Sequence, residues 1–226
     1  MNELSETCRS EEFRLEKIEM YDTALQPKLR IACSGEVQSY CKGVKSGKAR
    51  IFQCLMRHSR EPGFGGDCFE ILRKKQLRKQ QNFLLDGGVS SNCKEDIEEH
   101  CGTVTGGAKV TKKSLGPGGA KVYGCLLQKR EKVTQVCARE LSRLVTNSFL
   151  NYDQASPLTR ACDKDVQAHC QTEDGRVVTP VGECLLAHVD VSSPREGPAN
   201  KGRKEPMQPP MQRLGQSCRV LVEWVQ

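Results

Sequence analysis

The chain has 226 residues, of which 37% are hydrophobic and 5% aromatic, and it carries thirteen cysteines. So thin an apolar content excludes a large conventional core, and so many thiols belong in an oxidising compartment as cross-links unless they bind metal. The net charge of +7, from 35 Lys and Arg against 28 Asp and Glu spread along the chain, serves solubility; nucleic acid would call for a basic stripe with stacking aromatics, and none is present.

The chain opens at Met1-Asn2-Glu3-Leu4 with no apolar stretch behind it, so no export signal is read there. No run approaches the ~20 apolar residues needed to span a bilayer. A disulfide-rich chain of this kind is expected to be part of a longer product. Cys8 leads an amphipathic stretch, Cys8-Arg-Ser-Glu-Glu-Phe-Arg-Leu15, that is met again further on. Residues 1–27 therefore read as the C-terminal tail of a truncated repeat, with Cys8 left unpaired.

Three C-x7-C pairs follow, Cys33/Cys41, Cys93/Cys101 and Cys162/Cys170, all fitting C-x-x-[DE]-[VI]-x-x-[YH]-C. Each is followed by a third cysteine before an apolar pair, Cys54-Leu-Met, Cys125-Leu-Leu and Cys184-Leu-Leu. A fourth cysteine, Cys68, Cys137 or Cys218, opens a new amphipathic stretch. The complete repeats are read as 28–86, 87–155 and 156–226, the second with a basic Gly-rich insertion (103–121) and the third with a Pro/Gly-rich one (189–214). Both insertions have the composition of solvated, mobile loops.

Between insertions the apolar spacing is helical. Phe69, Ile71, Leu72, Leu77, Phe83 and Leu84 make one stripe, and Leu141, Leu144, Val145 and Phe149 another. Asp86-Gly87-Gly88 reads as a helix stop and Ser156-Pro157 as a helix start. Nothing alternates with period two over a strand length. The fold class is all-α: tandem disulfide-stapled helical repeats with loop insertions.

Cysteines eight residues apart on a helix are roughly 12 Å apart, whereas bridged Cα atoms lie about 4.4–6.8 Å apart. The members of a C-x7-C pair therefore cannot bond to each other. The simplest alternative is a helical hairpin with nested bridges: Cys33–Cys68 around Cys41–Cys54, Cys93–Cys137 around Cys101–Cys125, and Cys162–Cys218 around Cys170–Cys184. Four cysteines per repeat allow three connectivities, so spacing leaves the choice open.

These motifs resemble the cysteine-rich repeat of the Golgi apparatus protein family, also described as the cysteine-rich fibroblast growth factor receptor and E-selectin ligand. The resemblance rests on the C-x-x-[DE]-[VI]-x-x-[YH]-C pattern, the later C-L-[LM] and the closing cysteine with its amphipathic stretch. It implies a luminal ectodomain of many repeats, a single membrane span in the parent protein, Golgi residence, and binding of growth factors or presentation of glycans to a selectin. Asn147-Ser-Phe and Asn151-Tyr-Asp fail the N-glycosylation pattern and no other Asn meets it, so selectin binding through N-glycans is not expected of this segment.

Sharper chemistries find little support. His100-Cys101 and His169-Cys170 suggest zinc, but there is no C-x-x-C in the chain, and the two histidines stand where the first repeat has Tyr40, which points to packing. Thiol redox chemistry lacks its motif, and a nucleophilic cysteine would need exemption from pairing and a nearby base. Six-cysteine saposins and twin C-x9-C proteins have other spacings. Glu36, Asp96 and Asp165 recur once per repeat; a ligand-contacting row is one reading and a first-turn charge favouring its own helix dipole the preferred one. The chain is expected to be no enzyme and to hold no cofactor or metal. Its expected partners are growth-factor-like protein ligands or a larger assembly in which it is a structural spacer, with acidic glycans for the basic residues Arg195, Lys201, Arg203 and Lys204. The expected location is the Golgi lumen, the secretory pathway or the extracellular space, with the parent protein membrane-anchored.

Overall fold

A computed structural model describes residues 5–105, 119–178, 180–188 and 214–225. The architecture is all-α, with six disulfides stapling the helices. One isolated bridge, Gln171 with Val177, is the sole β pairing among the described residues. The helices are α1 (Glu6–Tyr21), α2 (Pro27–Ala32), α3 (Ser34–Tyr40), α4 (Arg50–His58), α5 (Gly66–Gln81), α6 (Gly87–Asn92), α7 (Lys94–His100), α8 (Gly102–Thr105), α9 (Gly119–Leu127), α10 (Gln135–Leu150), α11 (Asp163–His169), α12 (Val181–Ala187) and α13 (Gln216–Val222).

Each C-x7-C motif is one whole short helix. Cys33 and Cys41 flank α3, Cys93 and Cys101 flank α7, and Cys162 and Cys170 flank α11, as N- and C-terminal caps. No cap side chain accepts a hydrogen bond there, because the sulfur is committed to a bridge. The outer bridges run Cys33–Cys68, Cys93–Cys137 and Cys162–Cys218 with Cα atoms 4.8, 4.7 and 4.6 Å apart. The inner ones run Cys41–Cys54, Cys101–Cys125 and Cys170–Cys184 at 6.0, 6.0 and 5.9 Å. On the chain-entropy account the inner loops are worth about 3 kcal/mol each and the outer ones about 4.

Of the helices that carry a fourth cysteine, α1, α5 and α10 each run sixteen residues and α13 seven. Ser5 caps α1 by accepting from the Cys8 amide at 3.2 Å, and Thr134 caps α10 by accepting from Cys137 at 3.4 Å. Three stretches align without a gap, 5–41, 65–101 and 134–170; each holds a closing helix and the C-x7-C helix after it. All length variation falls between the second cysteine of a repeat and its fourth.

Local expectations are corrected at several points. The stripe through Phe83 and Leu84 is not one helix: α5 ends at Gln81, and Phe83–Leu85 is a 3-10 turn. Asp86 starts a helix where a stop was expected, because its carboxylate accepts from the Gly88 and Val89 amides at 3.0 and 3.2 Å and so caps α6. Ser156-Pro157 opens a turn leading to a 3-10 segment, Arg160–Cys162; Ser156 Oγ accepts from Leu158 only two residues on, an alternative to helical bonding. The ends of the first insertion are helical, Gly102–Thr105 in α8 and Gly119–Lys121 in α9. The rest of that insertion, with Gly-Pro-Gly-Gly up to Gly118, lies outside the described residues, as does the second insertion up to Arg213.

The buried apolar residues form two clusters. One centres on Leu29, Phe52, Leu55, Met56 and Leu72 with the bridges of the first repeat. The other runs through the second and third repeats, from Phe83 and Tyr123 to Trp224. A polar seam crosses between α5 and α10: Gln76 donates to the Asn147 carbonyl at 3.0 Å, Gln80 to Ser148 Oγ at 2.8 Å, and Arg73 pairs with Asp153.

Candidate binding surface

The residues that recur in every repeat face inward. Val37, Ile97 and Val166 pack on or within the apolar clusters, and the bridged Cys33, Cys68, Cys93, Cys137, Cys162 and Cys218 are fully buried. Glu36, Asp96 and Asp165 do not act on their own helices alone. Each accepts a hydrogen bond from the residue that starts the closing helix: Glu36 from Gly65 N at 3.1 Å, Asp96 from Thr134 N at 2.7 Å, Asp165 from Gly215 N at 2.9 Å. Asp96 also accepts from Thr134 Oγ1 at 2.8 Å. The acid of the C-x-x-[DE] motif therefore clasps the orphan amides of the helix that its outer bridge tethers, satisfying donors and complementing that helix dipole together.

The [YH] position packs over the turn that follows the third cysteine. Tyr40 stacks on His58 with ring centroids 5.3 Å apart, and His169 stacks on His188 at 4.7 Å. His100 has its Nε2 3.2 Å from the Lys132 carbonyl instead. His58 and His188 each lie four residues past a third cysteine, a signal legible in the sequence and not used there. Among the described residues no group of three or more His, Cys, Asp or Glu could hold a metal ion. Cys8 is exposed and unbridged.

Sequence reasoning missed a charged cluster at the junction of the repeats. Asp86 is buried and accepts from Arg143 Nη2 at 3.2 Å; burial alone would raise its pKa, but the Arg143 and Lys79 charges and the amide of Val89 hold the carboxyl below its usual range. Arg143 gains in turn from Asp86 and Glu140 more than burial removes. Lys79, buried with its Nζ 4.1 Å above the Phe52 ring, is pulled down to about 8 by desolvation. Tyr123, wholly buried, donates to the Lys79 carbonyl at 3.0 Å, and burial pushes its phenol well up. No isolated Gly, Asp or Lys in the primary structure announces this cluster, since its members come from α5, α6, α9 and α10.

Outward the repeats differ. On the exposed side of α3 stand Ser34, Gly35, Gln38 and Ser39; on α7, Lys94, Glu95, Glu98 and Glu99; on α11, Lys164, Gln167 and Ala168. A cavity of about 370 Å³ lies between α9 and α13, lined by Ala120, Gly124, Leu127, Leu158, Ala161 and Leu221 among others, with no ionisable group. Among the described residues no helix is long and apolar enough to cross a membrane. Arg195, Lys201, Arg203 and Lys204, read from sequence as a glycan-binding group, lie outside the described residues.

Residues 6–63 and 66–134 match the family model described as "Cysteine rich repeat". Human Golgi apparatus protein 1 is 22% identical over 191 residues, which cover 83% of this chain and 16% of that protein. The chicken protein of the same name is 26% identical over 178 residues, 75% of this chain and 15% of its own length. A Caenorhabditis elegans homologue is 24% identical over 97 residues, 43% of this chain and 8% of its own. The chain thus spans about one sixth of the human relative or less of the others. No solved structure matches it.

Proposed function

Because the chain belongs to the Cysteine rich repeat family, we propose that it is a non-enzymatic luminal or extracellular binding protein of Golgi apparatus protein type, presenting its tandem repeats to protein ligands such as growth factors. One observation carries the reading. The residues that recur are engaged in bridges, clasps and packing, while the exposed positions between them change from neutral on α3 to mostly acidic on α7 and to one lysine among neutral residues on α11. A constant frame with variable outward positions is the arrangement of a repeat array whose binding surface grows with repeat number. The six bridges and the Golgi apparatus protein 1 relatives fit a Golgi or secretory location, and anchoring of the parent protein in a membrane belongs to the same reading.

The test substitutes Glu98→Lys and Glu99→Lys together, leaving every cysteine and clasp intact, and measures binding of the full chain to a panel of purified secreted growth factors. A binding array loses at least tenfold in affinity for a defined partner of basic surface. If no growth factor binds the unaltered chain, or binding survives the double substitution and every comparable change on α3 and α11, the chain is a spacer and the proposal fails.

A further inference from the structure

The charges are spread along the chain, but their excess is not. Residues 42–60 hold six Lys and Arg and no acid, which leaves 29 Lys and Arg against 28 Asp and Glu in the rest of the chain. Arg60 turns to the polar seam, donating to the Leu150 carbonyl and to Asn151 Oδ1 at 3.0 Å each. The other five, Lys42, Lys45, Lys48, Arg50 and Arg57, are exposed.

The fold gathers these five around the inner bridge of the first repeat. Arg50, Cys54 and Arg57 stand at i, i+4 and i+7 on one face of α4, so the two arginines lie about 10 Å apart along its axis. The Cys41–Cys54 bridge, with Cα atoms 6.0 Å apart, holds Lys42 against the same face. Lys45 is brought in by Arg50, whose Nε donates to the Lys45 carbonyl at 3.1 Å and whose Nη2 donates to the Ser46 carbonyl at 2.6 Å. Lys48 sits in the left-handed region with a φ of 51°, where a side chain is disfavoured and glycine is the ordinary choice. Behind it α4 starts without a side-chain cap or an acid in its first turn, so the positive pole of the helix adds to the field. Two acids border the face: Asp22 accepts from Ser46 Oγ at 2.6 Å, and Glu61 lies 3.7 Å from His58 Nδ1.

These cations are not part of the recurring frame. Counted from the bridged cysteines, Lys42 corresponds to Gly102 and Gln171, Arg50 to Lys121 and Pro180, and Arg57 to Gln128 and Ala187. Three cations in the first repeat become one in the second and none in the third, although the bridge beneath them is the same. A charge that folding required would recur with the bridge, and like charges on one face repel and cost stability. The large hydrophobic side chains exposed among the described residues are Leu15, Ile18, Leu25, Ile31, Val136 and Val178, none of them on this face. A protein interface is built round desolvated apolar and aromatic anchors; a row of mobile cations without them suits a linear polyanion, held by charge and counterion release. In the oxidising compartment where such bridges form, that chemistry belongs to sulfated polysaccharides.

We propose that the exposed face of α4 and the loop before it, carrying Lys42, Lys45, Lys48, Arg50 and Arg57, is a binding site for a sulfated glycosaminoglycan chain. The guanidinium groups fork onto sulfate oxygens, and the lysines act as point charges along the strand. The site is of opposite sign to Glu95, Glu98 and Glu99 on α7, and it stands whether or not those residues meet a protein ligand.

The full chain is titrated calorimetrically with a heparin dodecasaccharide at salt concentrations from about 50 to 200 mM. The oligosaccharide binds, and its affinity falls at least tenfold across that range. Lys42→Gln, Lys45→Gln and Arg57→Gln together, which leave the loop bonds of Arg50 in place, weaken binding at least tenfold with all six bridges intact by non-reducing peptide mapping. An unaltered chain that does not bind at the lowest salt overturns the proposal, as does a triple variant of unchanged affinity. A loss produced instead by Lys201→Gln, Arg203→Gln and Lys204→Gln also overturns it, because the glycan would then be held elsewhere. An oligoglutamate peptide of the same charge that binds as tightly overturns it too, since the partner would then be an acidic protein segment.

Discussion

Substituting Asp96 by alanine tests the clasp most sharply, because that carboxylate is buried and has two partners. It accepts from Thr134 N at 2.7 Å and Thr134 Oγ1 at 2.8 Å, with 3% of its residue surface exposed. Hydrogen bonds to a charged group contribute about 1.5–3 kcal/mol each, and a donor left buried without a partner costs about 1–3. The Thr134 hydroxyl keeps its bond to Cys137 N, so the net loss for Asp96→Ala is about 3 kcal/mol, the lower half of that sum. At ~2–4 °C per kcal/mol for a chain of this size, the midpoint falls by about 6–12 °C. Asp96→Asn retains an acceptor without the charge and loses about half as much. Glu36 and Asp165 are half-buried and hold one amide each, at 3.1 and 2.9 Å, so Glu36→Ala and Asp165→Ala cost about 1 kcal/mol. The assay is urea unfolding under non-reducing conditions in a Cys8→Ser background, which prevents thiol exchange. If Asp96→Ala costs no more than Glu36→Ala, the carboxylate does not clasp the closing helix and the reasoning fails.

Lys79 makes stability rise with pH on the alkaline side. Its folded pKa of about 8 lies below the ~10.4 of an unfolded lysine, so between these values the unfolded chain holds more protons and each step up in pH favours the fold. The swing is about 3 kcal/mol; Lys79→Met should flatten it and raise the urea midpoint at pH 7, and an unchanged slope between pH 8 and 10 would count against a desolvated ammonium. Trp224, the one tryptophan, is 3% exposed, donates from Nε1 to the Leu127 carbonyl at 3.2 Å and lies beneath the Arg130 guanidinium. Its fluorescence therefore reports the docking of α13 on the second repeat. Trp224→Phe keeps most of the packing and should cost about 1–2 kcal/mol through the unpaired carbonyl and lost area, and a wild-type emission maximum at the fully hydrated wavelength would refute the docked position.

The sequence was most legible where the physical constraint is local. Once a C-x7-C pair is set on a helix its ends lie too far apart to meet, so the exclusion of a bridge within α3, α7 and α11 follows from spacing. The apolar run in α10 also buries as its period requires. Helix boundaries were less legible: Asp86-Gly87-Gly88 contains both a stop and a start, and only the direction of the aspartate side chain decides that it caps α6.

By itself, then, the sequence determined the repeat and its helical class, because the C-x7-C motif and the helical apolar period are encoded at fixed short separations, and the count of thirteen cysteines pointed to cross-links. Only the tertiary structure decided what the recurring acids do and how one repeat meets the next. Glu36, Asp96 and Asp165 reach partners 29, 38 and 50 residues away, across loops whose lengths differ in every repeat, so no constant spacing betrays them. Glu16 and Arg78 meet across 62 residues, and Gln76 reaches the main-chain carbonyl of Asn147 across 71. Contacts across so many residues are set by how the helices stack, which no local pattern in the sequence encodes.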